Sequence, residues 1–349
     1  MKRFAVTGAA IVSPLGKTKE RDWRAAERDA PVLHELTRFS SAQKIICGDI
    51  KGFDPDDHIS DRRFRRAALI SQYALAAIAE ALGCVSTETS RETALLMAVT
   101  HGALCYTQSF HRDLIEGGPD AVSPIHFSDS VLNAPAGNAS ICFGIRGPVH
   151  TVLGGGEATI KAMMEACRML TKGDVGRVIV AAAEELNELS ISAYERKGIT
   201  ALSEGAGAVV IERAEDIGQT APLCSIIGIA SLCDPCNPEA ALNDALNSCV
   251  ADAGISASDI DLVFSDKKGF CYKPLKGVPL IDLSLLAGQA FVASTLWETA
   301  FAAMALDKGA IPQSIIGNGI LPPERINNVL VCTADKQGNA AAVILSRYA

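Results

Sequence analysis

Short, nearly continuous apolar runs alternate along the chain with longer segments in which apolar residues recur every three or four positions. Residues 93–99 (TALLMAV) and 177–183 (RVIVAAA) are runs of the first kind, typical of parallel strands covered on both faces. Residues 157–171 are of the second kind and predict a helix, with apolar residues at Ile160, Met163, Met164, Cys167 and Leu170.

The same alternation extends over the whole chain and divides it at a polar segment, residues 212–222. Before that segment the pattern predicts strands at 3–7, 149–153 and 207–212, besides the two runs above, and helices at 62–82 and from about 101 to 115. After it the pattern predicts strands at 223–230, 261–265, 328–333 and 340–345, and helices at 239–253 and 284–306. We therefore predict an α/β fold with two similar halves, residues 1–216 and 217–349.

Length and composition allow a large core but exclude some classes of protein. The 349 residues are 48% hydrophobic and 21% charged, an ordinary balance for a globular chain, and no apolar run approaches the length of a membrane span. The N-terminal residues enter strand-like sequence directly, so we expect a cytoplasmic protein. A net charge of −8 argues against nucleic acid as a partner.

The eleven cysteines are scattered, which favours reduced, mostly buried thiols over a disulfide framework. Cys233 and Cys236 form a close pair, but no second pair and no downstream histidine completes a metal site. We predict neither a metal nor a cofactor.

A glycine turn, Gly154 to Gly156, stands between the strand predicted at 149–153, which we expect to be buried, and the helix that follows. Such a turn allows sharp backbone angles and close approach, and it suits a nucleophile or a bound anion. No residue of the turn carries a side chain, however, and Glu157 is best interpreted as an anion stabilising the start of the helix. The arrangement resembles an active site without its reactive atom.

Several motifs in the same order along the chain resemble those of one protein family. They are VTGAAIVSPLG (6–16), Pro124 with NAPAG (133–137), Gly147-Pro148 before the glycine turn, and LSEGAGAVVIE (202–212). These are similar to motifs of the elongating β-ketoacyl-ACP synthases and their chain-length-factor relatives from type II polyketide synthases. The resemblance implies a thiolase-like fold with a duplicated, layered αβαβα architecture.

The resemblance also implies where catalytic groups would stand, and those positions hold other residues. The nucleophilic cysteine falls on Gly156, the first histidine on Asp266, the second histidine on Gln289 and the lysine on Ser284. Glu298 still fits its motif, whereas the glycine-rich gating loop has become ADKQGN (334–339). All six histidines lie within the first 150 residues, so no shift of the alignment recovers the missing pair.

We therefore expect a catalytically silent, chain-length-factor-like subunit that forms a heterodimer with an active ketosynthase and elongates polyketide, polyene or fatty acyl chains. By the resemblance, Ala103, Tyr106 and Phe110 share one helical face and line the tunnel, although the same spacing also fits ordinary core packing.

The basic run Arg62, Arg63, Arg65 and Arg66 begins the helix predicted at 62–82. In the resembled family, basic residues here meet acyl carrier protein with its phosphopantetheine-bound acyl chain, and a local basic patch would attract such an acidic partner. A solvated helix start is the other interpretation.

Two alternatives remain open. One is an acyltransferase with relocated catalytic residues, using Cys105, Cys142 or Cys167 as nucleophile and His101 or His150 as base. The other is an acyl- or nucleotide-binding protein that holds phosphate at the glycine turn, although its spacing is not that of a dinucleotide loop.

Overall fold

The computed structural model describes residues 4–27, 32–39, 45–85, 92–198, 201–218, 220–266, 275–316 and 321–348. The strands are β1 (Phe4–Val12), β2 (His34–Glu35), β3 (Ile46–Gly48), β4 (Thr93–Val99), β5 (Val149–Leu153), β6 (Arg177–Glu184), β7 (Leu202–Ser203), β8 (Gly205–Arg213), β9 (Cys224–Cys233), β10 (Leu262–Phe264), β11 (Leu280–Ile281), β12 (Asn328–Ala334) and β13 (Asn339–Ser346). The α-helices are α1 (Lys19–Ala26), α2 (Leu69–Gly83), α3 (Leu104–Gly117), α4 (Pro124–Ser130), α5 (Ala134–Phe143), α6 (Gly156–Lys172), α7 (Glu188–Glu195), α8 (Pro238–Ala253), α9 (Ser284–Ala287), α10 (Val292–Lys308) and α11 (Gln313–Ile316).

Ten strands form one mixed sheet in the order β11-β10-β12-β13-β9-β1-β8-β6-β4-β5, and β2, β3 and β7 form a small second sheet. Outward from the central β1–β9 pair, each side has two antiparallel pairings followed by two parallel ones. The two sides therefore repeat one strand pattern, and the chain passes from one to the other between β8 and β9. This repetition is the duplicated architecture that the sequence predicted.

The helices complete the layers. Helices α6 and α10 pack against each other and contact strands of both sides, such as β6 and β13 for α6 and β8 and β12 for α10. Helix α2 covers the outer face of the β1–β8–β6 side, and α8 covers the outer face of β9 and β13. Trp297, the largest fully buried side chain among the described residues, and Phe301 both lie on α10, in the middle helix layer.

Three predicted elements differ from the structure. The helix expected at 62–82 is a 3-10 turn over Arg62–Arg66 followed by α2, because Ala67 is extended (φ −66°, ψ 156°). The helix expected at 284–306 is interrupted between α9 and α10, where Gly288 and Phe291 have φ of +83° and +49°. Strand β5 is an edge strand rather than a buried one, with His150 and Leu153 exposed.

Within the described ranges, no helix combines the length and the apolar character needed to cross a bilayer.

Candidate functional site

The glycine turn joins β5 to α6 as predicted, but its glycines are needed for close approach and not for unusual backbone angles. None of the three has a positive φ, and Gly155, the N-cap of α6, has φ −85°. Side chains at Gly154 and Gly155 would meet the Glu157 carboxylate, with Cβ positions 2.5 Å from Oε1 and 2.8 Å from Oε2. Glu157 is buried, and its Oε1 accepts the Gly155 N–H at 3.3 Å. A carboxylate therefore covers the turn, which disfavours phosphate binding there.

The side chain missing from Gly156 leaves no free volume, because two threonines fill the space. A Cβ on Gly156 would lie 2.5 Å from Thr295 Oγ1 and 2.9 Å from Thr333 Oγ1. Thr295 comes from the first turn of α10 and Thr333 from β12, and both are buried. A cysteine at this position would collide with both hydroxyl groups.

The two residues at the family's histidine positions are brought together. Gln289 Nε2 donates to Asp266 Oδ2 at 2.8 Å, and Thr333 Oγ1 donates to Asp266 Oδ1 at 3.4 Å. Gln289 Oε1 is buried and has no hydrogen-bond partner among the described residues. Gly156, Thr333, Asp266 and Gln289 thus lie in one polar cluster, which contains neither a thiol nor an imidazole.

Ser284, at the lysine position, contacts a different carboxylate. Its hydroxyl donates to Asp282 Oδ1 at 2.5 Å at the start of α9. Glu298 is buried in α10. Residues 334–339 form a tight turn between β12 and β13, in which Asp335 Oδ1 accepts the N–H groups of Gln337 and Asn339. The segment at the gating-loop position is therefore short and internally hydrogen-bonded.

The proposed relocated nucleophiles are poorly placed for that chemistry. Burial raises the pKa of Cys105 and of Cys167 to about 12 and also raises the pKa of Cys142, so all three remain thiols at neutral pH. His101 Nε2 faces Tyr194 Oη at 2.9 Å, and His150 is exposed on β5. The structure does not support the cysteine-based alternative.

The tunnel candidates do not all lie on one helix. Ala103 is the buried N-cap residue of α3, and Tyr106 and Phe110 are half-buried in that helix. Tyr106 Oη donates to the Arg66 carbonyl at 2.7 Å, and the Phe110 ring lies 5.6 Å from that of Phe127. Tyr106 and Phe110 therefore contact the segments that border the exposed face described next.

Exposed apolar side chains lie on β5, the edge strand of the sheet among the described residues, and on the helices that lead away from it. Helix α3 packs on α4, α4 on α5, and α5 on β5. Their exposed apolar side chains, with those of the segment between α4 and α5, are Ile115, Ile125, Phe127, Val131, Leu132, Ile141 and Leu153, with Ile115 81% and Phe127 60% exposed. We call these seven residues the edge face. An unpaired edge strand within such a surface is typical of a protein–protein interface.

The four arginines are not equivalent. Arg63 pairs with Asp61 at 2.5 Å, and Arg65 pairs with Asp56. Arg62 and Arg66 are exposed and have no ion pair within the described part of the chain. Two of the four remain available to an acidic partner.

The two threonines were not predicted from the sequence, nor was a second cluster in which His101 meets Glu184 and Tyr194. Thr295 stands where the family's second-histidine motif has its last glycine, so the sequence alone could have indicated that a larger side chain enters the site there. No sequence motif places Thr333 near Gly156, and none places Glu184 near Tyr194. No group of metal-ligating side chains occurs among the residues that the structure describes.

Known proteins resemble this chain in sequence over parts of its length. A family model described as "Beta-ketoacyl synthase, N-terminal domain" matches residues 60–221. The 3-oxoacyl-(acyl-carrier-protein) synthase 2 of Vibrio cholerae is 30% identical over 190 residues, covering 53% of this chain and 46% of that protein. The enzyme of the same name from Staphylococcus aureus strain COL is 24% identical over 295 residues, covering 74% and 71%. The chain thus matches less than half the length of the Vibrio cholerae relative.

Solved structures resemble it over its whole length. "The ishigamide ketosynthase/chain length factor" gives a TM-score of 0.87 at 16% identity, with 100% of both chains covered. The AntDE:AntF complex, a type II PKS acyl-carrier protein with its ketosynthase bound to the hexaketide, gives 0.82 at 17%, again with 100% of both chains covered. A beta-ketoacyl synthase from Burkholderia phymatum STM815 gives 0.85 at 16%, also with 100% of both chains covered. At these identities the likeness establishes the fold, which is thiolase-like.

Proposed function

We propose that this chain, whose residues 60–221 match the family model of the β-ketoacyl synthase N-terminal domain, is a member of the β-ketoacyl synthase superfamily and a non-catalytic, chain-length-factor-like subunit. It pairs with an active ketosynthase and shapes the tunnel in which an acyl chain bound to acyl carrier protein is elongated. The two subunits form a heterodimer, and condensation takes place in the partner.

The observation that carries this proposal is the filled nucleophile position. Ketosynthase chemistry needs a nucleophile that accepts the acyl chain and acid–base groups beside it. Here Thr295 and Thr333 occupy the space over Gly156, and Asp266 and Gln289 bind each other. These groups close the site with hydrogen bonds and leave no room for an acyl-cysteine.

The edge face supports the pairing. An edge strand with exposed Leu153, bordered by exposed Phe127 and Ile141, presents apolar surface that a folded partner would bury. Tyr106 and Phe110 contact residues next to this face, so a partner seated on it would lie close to both side chains. On this proposal they limit the depth of a tunnel that reaches the interface, with the small side chain of Ala103 leaving space.

Arg62 and Arg66 are the groups that we assign to carrier-protein docking. Both side chains are exposed and have no ion pair among the described residues. The backbone carbonyl of Arg66 accepts the Tyr106 hydroxyl, so this segment lies beside α3. The effect of this local charge on docking is electrostatic and will weaken as salt increases.

The test is to express the chain alone and together with ketosynthases encoded near it. We expect a heterodimer by light scattering after size exclusion, and elongation of carrier-bound acyl chains only when both subunits are present. Leu153→Asp should prevent assembly, whereas Leu321→Asp, at an exposed position outside the edge face, should not. A monomer that leaves the synthase unchanged, or a chain that condenses acyl and malonyl units without a partner, would refute the proposal.

A further inference from the structure

Three side chains form a series of polar contacts at the carboxyl ends of the parallel strands β4 and β6. His101 follows β4, Glu184 is the last residue of β6, and Tyr194 lies on α7. His101 Nε2 is 2.9 Å from Tyr194 Oη, and His101 Nδ1 is 3.2 Å from Glu184 Oε1. The carboxyl ends of parallel strands are where α/β proteins bind their ligands.

The glutamate of this series is buried and only partly paired. Glu184 is 2% exposed, and its Oε1 also accepts the backbone N–H of His101 at 3.3 Å. Its Oε2 is buried with no hydrogen-bond partner in the part of the chain that the structure describes. Burying a half-paired carboxylate lowers stability, and such groups are concentrated at functional sites.

Phe291 holds the two rings in place from a strained backbone. Its ring lies 4.9 Å from the His101 ring and 4.7 Å from the Tyr194 ring, measured between centroids. Phe291 has φ +49°, a conformation that is unfavourable for a residue with a side chain. It stands two residues after Gln289, so the chain connects this cluster directly to the closed site.

We propose that Tyr194, His101 and Glu184 form an acyl-accepting triad in which Tyr194 Oη attacks the carbonyl carbon of an acyl thioester. The roles follow those of a nucleophile, a base that it contacts, and a carboxylate that orients the base. His101 Nε2 takes the phenolic proton as the oxygen–carbon bond forms. The carbon–sulfur bond then breaks, and the proton passes from the imidazolium to the sulfur, which leaves as a thiol.

The protonation states fit these roles. Burial and the carboxylate of Glu184 raise the pKa of Tyr194, so the phenol is neutral at physiological pH and reacts only with a base beside it. The developing imidazolium would face Glu184, whose charge stabilises it. Tyr194 is half-buried and the His101 side chain is 18% exposed, so both side chains are partly accessible from solvent.

This inference goes beyond the proposed function, because it assigns covalent acyl capture, without condensation, to a site other than the closed one. The test is to incubate the purified chain with the N-acetylcysteamine thioester of acetate and follow the intact mass. We expect one acetyl group per chain, located on Tyr194 by peptide fragmentation. Tyr194→Phe should abolish the adduct, and Tyr348→Phe, which changes a tyrosine outside the cluster, should not.

His101→Gln keeps a hydrogen-bonding side chain but removes the base, so acylation should slow by about 10²-fold or more. An unmodified wild-type chain, an acetyl group on another residue, or an unchanged rate in His101→Gln would each overturn the proposal. Mapping the adduct on the wild-type chain requires no variant to fold. Neither result of the acylation experiment changes what the co-expression experiment should show, so the triad and the proposed function can each fail separately.

Discussion

The sharpest prediction concerns the space over Gly156. An added Cβ there would lie 2.5 Å from Thr295 Oγ1 and 2.9 Å from Thr333 Oγ1, with Thr333 Cγ2 at 3.4 Å. Both threonines are buried, so neither hydroxyl can swing into solvent. Gly156→Ala therefore overpacks the site, which typically costs about 1–3 kcal/mol of unfolding free energy.

A helix-propensity gain opposes this cost. Replacing glycine by alanine inside a helix is worth up to about 1 kcal/mol, and less at the first residue of α6, where Gly156 stands. We expect a net loss of about 1–2 kcal/mol for Gly156→Ala. Gly137→Ala is the matched control, because Gly137 lies in α5 with nothing within 4 Å of its added Cβ. That variant should be neutral or slightly more stable.

The assay is urea unfolding followed by tryptophan fluorescence, which reports on Trp297, in the same helix as Thr295, and on Trp23, which stacks on Phe301 of that helix. In a Thr295→Ala background the nearest contact is absent, so adding Gly156→Ala should cost at least about 1 kcal/mol less than in the wild-type chain. If Gly156→Ala is as stable as wild type, or loses the same stability in both backgrounds, the threonines do not fill this space.

Three further predictions concern other parts of the molecule. Burial raises the pKa of Glu185 from 4.5 to about 7, so the stability that its protonated form contributes is present below pH 4.5 and lost as pH rises through about 7. At about 1.4 kcal/mol per pH unit, the free energy of unfolding of the wild-type chain should fall by about 3 kcal/mol across that window relative to Glu185→Gln, measured by urea unfolding. If the two proteins show the same dependence of unfolding free energy on pH, this prediction is wrong. Leu153→Asp should leave the chain folded by circular dichroism but unable to bind the proposed ketosynthase partner, and heterodimer at wild-type yield would contradict the edge-face assignment. Replacing both Arg62 and Arg66 with alanine should weaken binding of the proposed carrier protein about 10-fold at low salt, measured by titration. Arg63→Ala, which removes an arginine that is paired with Asp61, should have less effect. Equal effects would exclude docking at Arg62 and Arg66.

Several elements could be read directly from the sequence. Strand β4 has the predicted bounds and β6 extends by one residue, because an apolar run that must be covered on both faces is a local signal. Strand β5 also has its predicted bounds, although it lies at the exposed edge of the sheet. The absence of a thiol at Gly156 and of histidines at Asp266 and Gln289 is also a local fact, read once the family motifs are aligned. Residue identity alone therefore predicts that the condensation chemistry is lost.

Helix boundaries depended on residues far away in the chain. Helix α2 begins at Leu69 because its first N–H groups are accepted from outside, that of Ala68 by Asp129 at 2.8 Å and that of Ile70 by Glu185 at 3.1 Å. The hydrophobic periodicity of a segment cannot reveal such a cap, because the accepting carboxylates belong to other elements. For this reason the arginine run was assigned to the helix when it forms a separate turn.

The sequence by itself determined most of the long strands and helices and which residue types stand at the motif positions, since both depend on short stretches of residues. Only the tertiary structure decided that Thr295 and Thr333 fill the space over Gly156, that β5 lies at an open edge, and that His101 meets Glu184 and Tyr194. Each of these results from packing between segments that are distant in sequence, and a one-dimensional pattern records whether a face is buried but not what covers it.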